Sequence, residues 1–296
     1  MKFPAPRLLA ALTTTVLAAG LCPALLAAVP AAKPPVCREA PGLDPLLASG
    51  TTLLLGEMHG TVESPAFAAN AVCRALRAGH GVTLGLEIPR EEEPRFTDYL
   101  ASEGTEKDRA ALLATPFWSE APDGRSSRAM LALVDEVRRF KKEGRPVRLV
   151  LFDQRPPGSA HPDGQVRDRA MADRLRAAVR ESPKDVLVVL TGNIHARTVP
   201  GVPWDKEFQM MGFLLSQDFP GSRLVALDVA YSGGAAWVCM DGECRAHTLK
   251  GPGSAGAVGG VALREGGADE RGFHGRYDVG TLSPSEPAVP VVKPAS

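Results

Sequence analysis

Two short stretches place an imidazole two residues after an acid or an amide: Gly56-Glu57-Met58-His59 and Gly192-Asn193-Ile194-His195. Each follows an apolar run, LLL at 53–55 and VLVVL at 186–190. Side chains two apart in an extended chain point the same way, so Glu57 and His59 can address one ligand. Glu87 closes a third apolar run, VTLGLEI, and Asp153 with Gln154 closes a fourth, VRLVLFD. Acids and imidazoles of this kind either hold a divalent metal or move protons. Several carboxylates and two imidazoles in one cleft would repel one another and suffer desolvation without a cation or shared protons. A divalent ion is the simplest compensation, and Glu57, His59, Glu87 and His195 are the expected ligands for zinc, manganese or iron. Metal-bound water would then need a general base, for which Glu57 or Glu87 stands ready, with His195 completing the catalytic set. His59, Asn193, Asp153 and Arg197 are the expected cofactor contacts, Arg197 because its planar fork of donors suits an anionic group.

These residues can meet only if the elements carrying them point one way. Five apolar runs read as buried strands, at 51–57, 82–88, 147–153, 185–192 and 223–231. Helical spacing separates them, over 65–76, 130–140 and 167–179. Strand and helix in alternation predict an α/β fold of three layers, a mostly parallel sheet between helices. In such a sheet the carboxyl ends of all strands share one edge. Every strand then delivers a polar residue to that edge, the fifth contributing Asp228, the weakest member, for which an arginine partner is the plainer role. A single acid at a strand end ordinarily caps a helix or pairs with an arginine; the recurrence over five strands is what points to a site. Likewise Ser127-Arg128 and Arg167-Asp168 read as ordinary helix starts. Residues 89–144 exceed one crossover and predict a helical insertion. AAWVCMDGECRAHTL predicts a C-terminal antiparallel hairpin. Residues 250–296 read as a Gly- and Pro-rich flexible tail with a short strand at 277–282, leaving a main domain over 38–249.

The chain has 296 residues, 44% of them hydrophobic, enough for one substantial core. Lys plus Arg equals Asp plus Glu, 34 of each, so no cationic surplus recommends a nucleic-acid partner. Lys2 and Arg7 precede LLAALTTTVLAAGL, and small residues follow at AAVPAAK. That order predicts a signal peptide over 1–32 and a secreted or periplasmic protein. A lipid anchor on Cys22 ranks second, because Leu21 is bulky where lipoprotein signals carry a small residue. Four cysteines remain after the leader, and export permits disulfides. Cys239 and Cys244 bracket MDGE and can bridge a hairpin, leaving Cys37 for Cys73; two unpaired buried thiols are the open alternative.

LLLGEMHG, GLEIP, RDRAMA and LTGNIHARTVPGVP, in that order between Leu53 and Trp204, resemble the ChaN-like branch of the haem-binding-uptake and Tiki superfamily, which also includes TraB proteins and erythromycin esterases. YDVGTLSPSEPA adds a weaker similarity near the C-terminus. ChaN-like proteins are associated with haem or iron uptake at the cell envelope; Tiki proteins are metal-dependent proteases, and the esterases open macrolide lactones. The resemblance implies a site at Glu57, His59, Glu87 and His195. The haem ligand of ChaN-like proteins is a tyrosine, and none of Tyr99, Tyr231 and Tyr277 lies in a matching motif. The resulting expectation is an exported protein binding haem or a divalent metal, with Tyr99 as the candidate axial ligand and Arg197 beside a propionate. The alternative is a metal-dependent hydrolase using the same cleft on a small ester or amide. Oligomeric state and substrate identity are left open.

Overall fold

The computed structural model describes Met1 and residues 35–120, 123–154, 164–219, 223–240, 243–254 and 256–290. Residues 2–32 of the expected leader, Cys22 among them, the Asp-Gly turn at 241–242 and the last six residues lie outside them. No helix among the described residues is long and apolar enough to cross a membrane.

Five strands form the parallel heart of a nine-stranded sheet: β1 (Thr52–Glu57), β2 (Val82–Pro89), β3 (Val147–Asp153), β4 (Val186–Gly192) and β5 (Leu224–Met240). The sheet order is β3-β2-β4-β1-β5, continued by β8 (Gly275–Asp278) and β7 (Val261–Leu263). Every residue of β1 is buried. Its alternation sorts the two faces: Leu53 and Leu55 pack with α1 (Glu63–Arg77) and α5 (Arg128–Lys142), whereas Leu54 packs with α6 (Gly164–Glu181) and α7 (Met211–Ser216). Both faces are therefore covered, as a sheet of continuous apolar strands requires. The insertion between β2 and β3 contains α2 (Glu93–Ala101), α3 (Glu106–Leu113) and α4 (Pro116–Glu120) before α5. Ser127 caps α5 by accepting from the Met130 amide, the ordinary role expected of it.

Two expectations need correction. The fifth strand and the hairpin arm are one 17-residue strand, β5, whose far half pairs antiparallel with β6 (Glu243–Gly253). The segment read as a flexible tail is built into the sheet: β8 and β9 (Thr281–Leu282) pair with β5, and Tyr277, Leu282 and Ser285 are buried. The strands are too short, and the flanking sequence too rich in Gly and Pro, to show an apolar period. Beyond β9 the chain crosses the turn after β1: Ser285 N–H donates to the Gly60 carbonyl (2.8 Å), Val62 N–H to Ser283 (3.0 Å), and Ala288 N–H to Ser126 (2.8 Å).

Cys37 is bonded to Cys73 and Cys239 to Cys244. The first closes a separation of 36 residues and ties the segment before β1 to α1, whereas the second closes only 5 across the hairpin. Loop-closure entropy then predicts that Cys73→Ser lowers the unfolding free energy by about 4 kcal/mol and Cys244→Ser by about 2. Equal denaturant midpoints for the two variants would contradict this.

Candidate functional site

The carboxyl ends of β1, β2, β3 and β4 meet as the parallel order requires, and the side chains there touch. Glu57, the last residue of β1, accepts from or shares a proton with His59 Nδ1 at 2.9 Å. His59 Nε2 then faces Glu87 Oε2 at 3.6 Å. On the other side His195, in the turn after β4, places Nδ1 2.9 Å from Asp168 Oδ1 and Nε2 3.9 Å from Glu87 Oε1. Two imidazoles, each with its own carboxylate behind it, thus look at one central glutamate. Glu57, His59, Glu87 and His195 are together; Asp153 joins them through two arginines.

Glu87 is 4% exposed and fully engaged. Oε2 accepts from the Thr191 hydroxyl (2.7 Å) and the Gly192 amide (2.8 Å), and Oε1 from Arg167 (2.8 Å), with Arg125 at 3.6 Å. Asp153, at 1% exposure, holds both guanidinium groups in place: Oδ1 accepts from Arg167 and Oδ2 from Arg125, each at 2.8 Å. Asp123 grips Arg125 from the far side through Nε (3.0 Å) and a second nitrogen (2.6 Å). Asp168 accepts a further bond from the Met211 amide at 2.7 Å, so α6, α7 and the β4 turn are locked around His195. Arg125, Asp123, Arg167 and Asp168 were not among the expected site residues.

Electrostatics follow from this packing. Burial works to raise the Glu87 carboxyl, but His195, His59, Arg125 and Arg167 outweigh it and hold Glu87 well below the usual carboxylate range. Burial pushes the Glu57 carboxyl up, against the opposing pull of His59. Burial works to lower the His59 imidazole, yet the charge of Glu87 and the bond to Glu57 leave it above its ordinary 6.5. Both shifts in the Glu57–His59 pair favour the bound proton. At His195, Arg167 NH1 lies 3.2 Å from Nε2 and Asp168 Oδ1 lies 2.9 Å from Nδ1.

Where a divalent ion was expected on Glu57, His59, Glu87 and His195, both Glu87 oxygens and His195 Nε2 face hydrogen-bond partners from the chain itself. Two arginines supply the positive charge that the carboxylates need. No group of three or more His, Cys, Asp or Glu among the described residues is arranged to hold an ion. Tyr99 is likewise not offered to a haem: it is 2% exposed and its hydroxyl donates to Asp135 at 2.8 Å. Asn193 lies on the same rim, its N–H donating to the Glu57 carbonyl at 3.0 Å, while neither its side chain nor that of Arg197 makes a hydrogen bond to the cluster among the described residues, and the Arg197 Nε is buried without a partner among them. Asp228 pairs with Arg271 at 2.9 Å, the plainer role expected of it.

The turn that carries His59 is clamped largely by backbone, with the Thr61 hydroxyl also donating to the Met58 carbonyl (3.2 Å). Gly60 (φ 77°) and Gly124 (φ 91°) adopt left-handed conformations, and their Cα atoms approach so closely that a Cβ on Gly124 would overlap the Gly60 amide. The Gly60 carbonyl accepts from Trp237 of β5 (2.9 Å) and from Ser285 (2.8 Å). The His59 and Arg125 loops are in this way pressed together.

No family model matches the chain, and no curated protein matches it. Solved structures do share the fold. A succinoglycan biosynthesis protein superposes with a TM-score of 0.57 at 9% identity, over 82% of this chain and 91% of that one. A Bacillus cereus protein gives 0.55 at 13%, over 83% and 92%. A mutant of the erythromycin esterase EreC, in its open conformation, gives 0.52 at 14%, over 70% and 78%.

Proposed function

We propose that this protein is an exported, metal-independent hydrolase of ester or amide bonds, within the superfamily that joins ChaN-like proteins to erythromycin esterases. The carrying observation is the pair of imidazoles, each backed by its own carboxylate, that face one buried glutamate. The leader order and the two disulfides support export, and the shared fold with an esterase supports the reaction class.

In this reading a water molecule displaces the Arg167 N–H from His195 Nε2 and gives up a proton there, Asp168 holding the imidazole and stabilising the imidazolium that forms. The water oxygen bonds to the carbonyl carbon, and the developing oxyanion faces Arg167, the guanidinium that reaches solvent, at 21% exposure. Collapse breaks the carbon–oxygen or carbon–nitrogen bond, and His59 Nε2 gives its proton to the leaving atom. One proton is taken and one given; Glu87 lies between the two imidazoles through which solvent restores the starting state.

The test is hydrolysis of a nitrophenyl ester by protein purified from a periplasm, with elemental analysis and an absorption spectrum of the same sample. Turnover that survives exhaustive chelation is expected. Haem, iron, manganese or zinc at one equivalent, with activity lost on chelation and restored by the metal, would instead favour the binding or metallohydrolase reading.

A further inference from the structure

Beside the histidines, on the β5 side of the same rim, lies a cavity of about 280 Å³ lined by Met58, Asn193, Asp228, Tyr231, Lys250 and Arg271 among others. Met58 adjoins Glu57 and His59 in the chain and Asn193 adjoins Gly192, so the cavity is lined by the same two turns that carry His59 and His195. Its polar lining is unusually unsatisfied. Asp228 is 5% exposed; one carboxylate oxygen pairs with Arg271, while Oδ1 is buried with no partner among the described residues. A buried carboxylate oxygen without a donor is costly unless something supplies one. Arg271 is committed to Asp228 and Asp269. Lys250, by contrast, is exposed and has no ion pair among the described residues, and the Tyr231 hydroxyl has no hydrogen bond among them.

We propose that this cavity anchors the substrate through a small hydroxylated acid group, the free Asp228 oxygen accepting the group's hydroxyl and Lys250 facing its carboxylate. Met58 and Pro252 provide the apolar wall. The volume lies near the lower end of ligand pockets, about 300 Å³, which suits one hydroxy-acid unit and not a large ring. Burial pushes the Asp228 carboxyl up against the pull of Arg271, so a hydroxyl can be met in either protonation state, as acceptor or as donor. The proposal rests on the hydrolase reading for its substrate and on the cavity alone for its binding.

Three nitrophenyl esters of similar size separate the contributions: butyrate is neutral, hemisuccinate adds a carboxylate, and hemimalate adds a carboxylate and a hydroxyl. The wild-type kcat/KM is expected to rise about tenfold from butyrate to hemisuccinate and several-fold again to hemimalate, as charge-assisted hydrogen bonds of this kind allow. Lys250→Met is expected to remove the first preference, and Asp228→Asn, which keeps side-chain volume and an oxygen for Arg271, the second. Equal kcat/KM for the three esters in the wild type, within about twofold, would overturn the subsite while leaving the hydrolase reading intact. If no ester is turned over, calorimetric titration with malate decides: binding that Lys250→Met abolishes supports the subsite, and absence of heat with the wild type overturns it.

Discussion

Replacing Glu87 by glutamine is expected to lower kcat by about three orders of magnitude and the unfolding free energy by about 3 kcal/mol. Glutamine keeps the shape and an oxygen for the Thr191 hydroxyl and Gly192 amide, but it removes the negative charge that faces two guanidinium groups and two imidazoles. Arg125 and Arg167 are left with Asp153 between them, and breaking a buried charge set by removing one partner is strongly destabilising. The His59 imidazole also loses the largest influence that raises it, so the acid is weakened together with its surroundings. The pH dependence gives a separate check. The folded Glu87 value lies below its ordinary 4.5, so its charge stabilises the protein above that value, and the contribution is lost as pH falls through the folded value. The wild type should show this acid-side loss in denaturant titrations, and Glu87→Gln should lack it. Wild-type turnover and stability in the variant would remove Glu87 from the centre of the site.

His59→Asn is expected to reduce kcat by about 10²- to 10⁴-fold, the usual range for a lost acid or base. The direction of the pH profile carries the mechanism. An acid must be protonated, so wild-type activity falls as pH rises through the His59 value, which lies above 6.5. Because the folded value is raised, the stability that His59 contributes is complete below its unfolded value and is lost over the same rise. The residual activity of the variant should lack this alkaline limb. A limb on the acid side, assigned to His59 by its disappearance in the variant, would exchange the roles given to His59 and His195.

The convergence of Glu57, His59, Glu87, Asp153 and His195 was legible because each follows an apolar run and a parallel sheet sends all such ends to one edge. The arginines that supply compensating charge were not legible, because no strand carries them. Arg125 lies in the helical insertion, in a loop held by Ser126 and the C-terminal strap, where no periodicity marks it. Arg167 did leave a trace: a cation near the start of a helix opposes the macrodipole, and that mismatch signals a partner elsewhere. Its neighbour Asp168 reads as an ordinary helix-start acid, and only the distance to His195 reveals its role. Of the edge strands after residue 260, the short strand expected at 277–282 is resolved into β8 and β9, whereas β7 escaped because three residues are too few to show alternation.

The Gly60 carbonyl receives donors from Trp237 and Ser285, positions 177 and 225 residues further along the chain than Gly60 itself (237 − 60 and 285 − 60). The peptide next to His59 therefore gains these supports only when the chain has been made as far as Ser285. A chain emerging N-terminus first would carry an unfinished turn at His59 until that segment arrives.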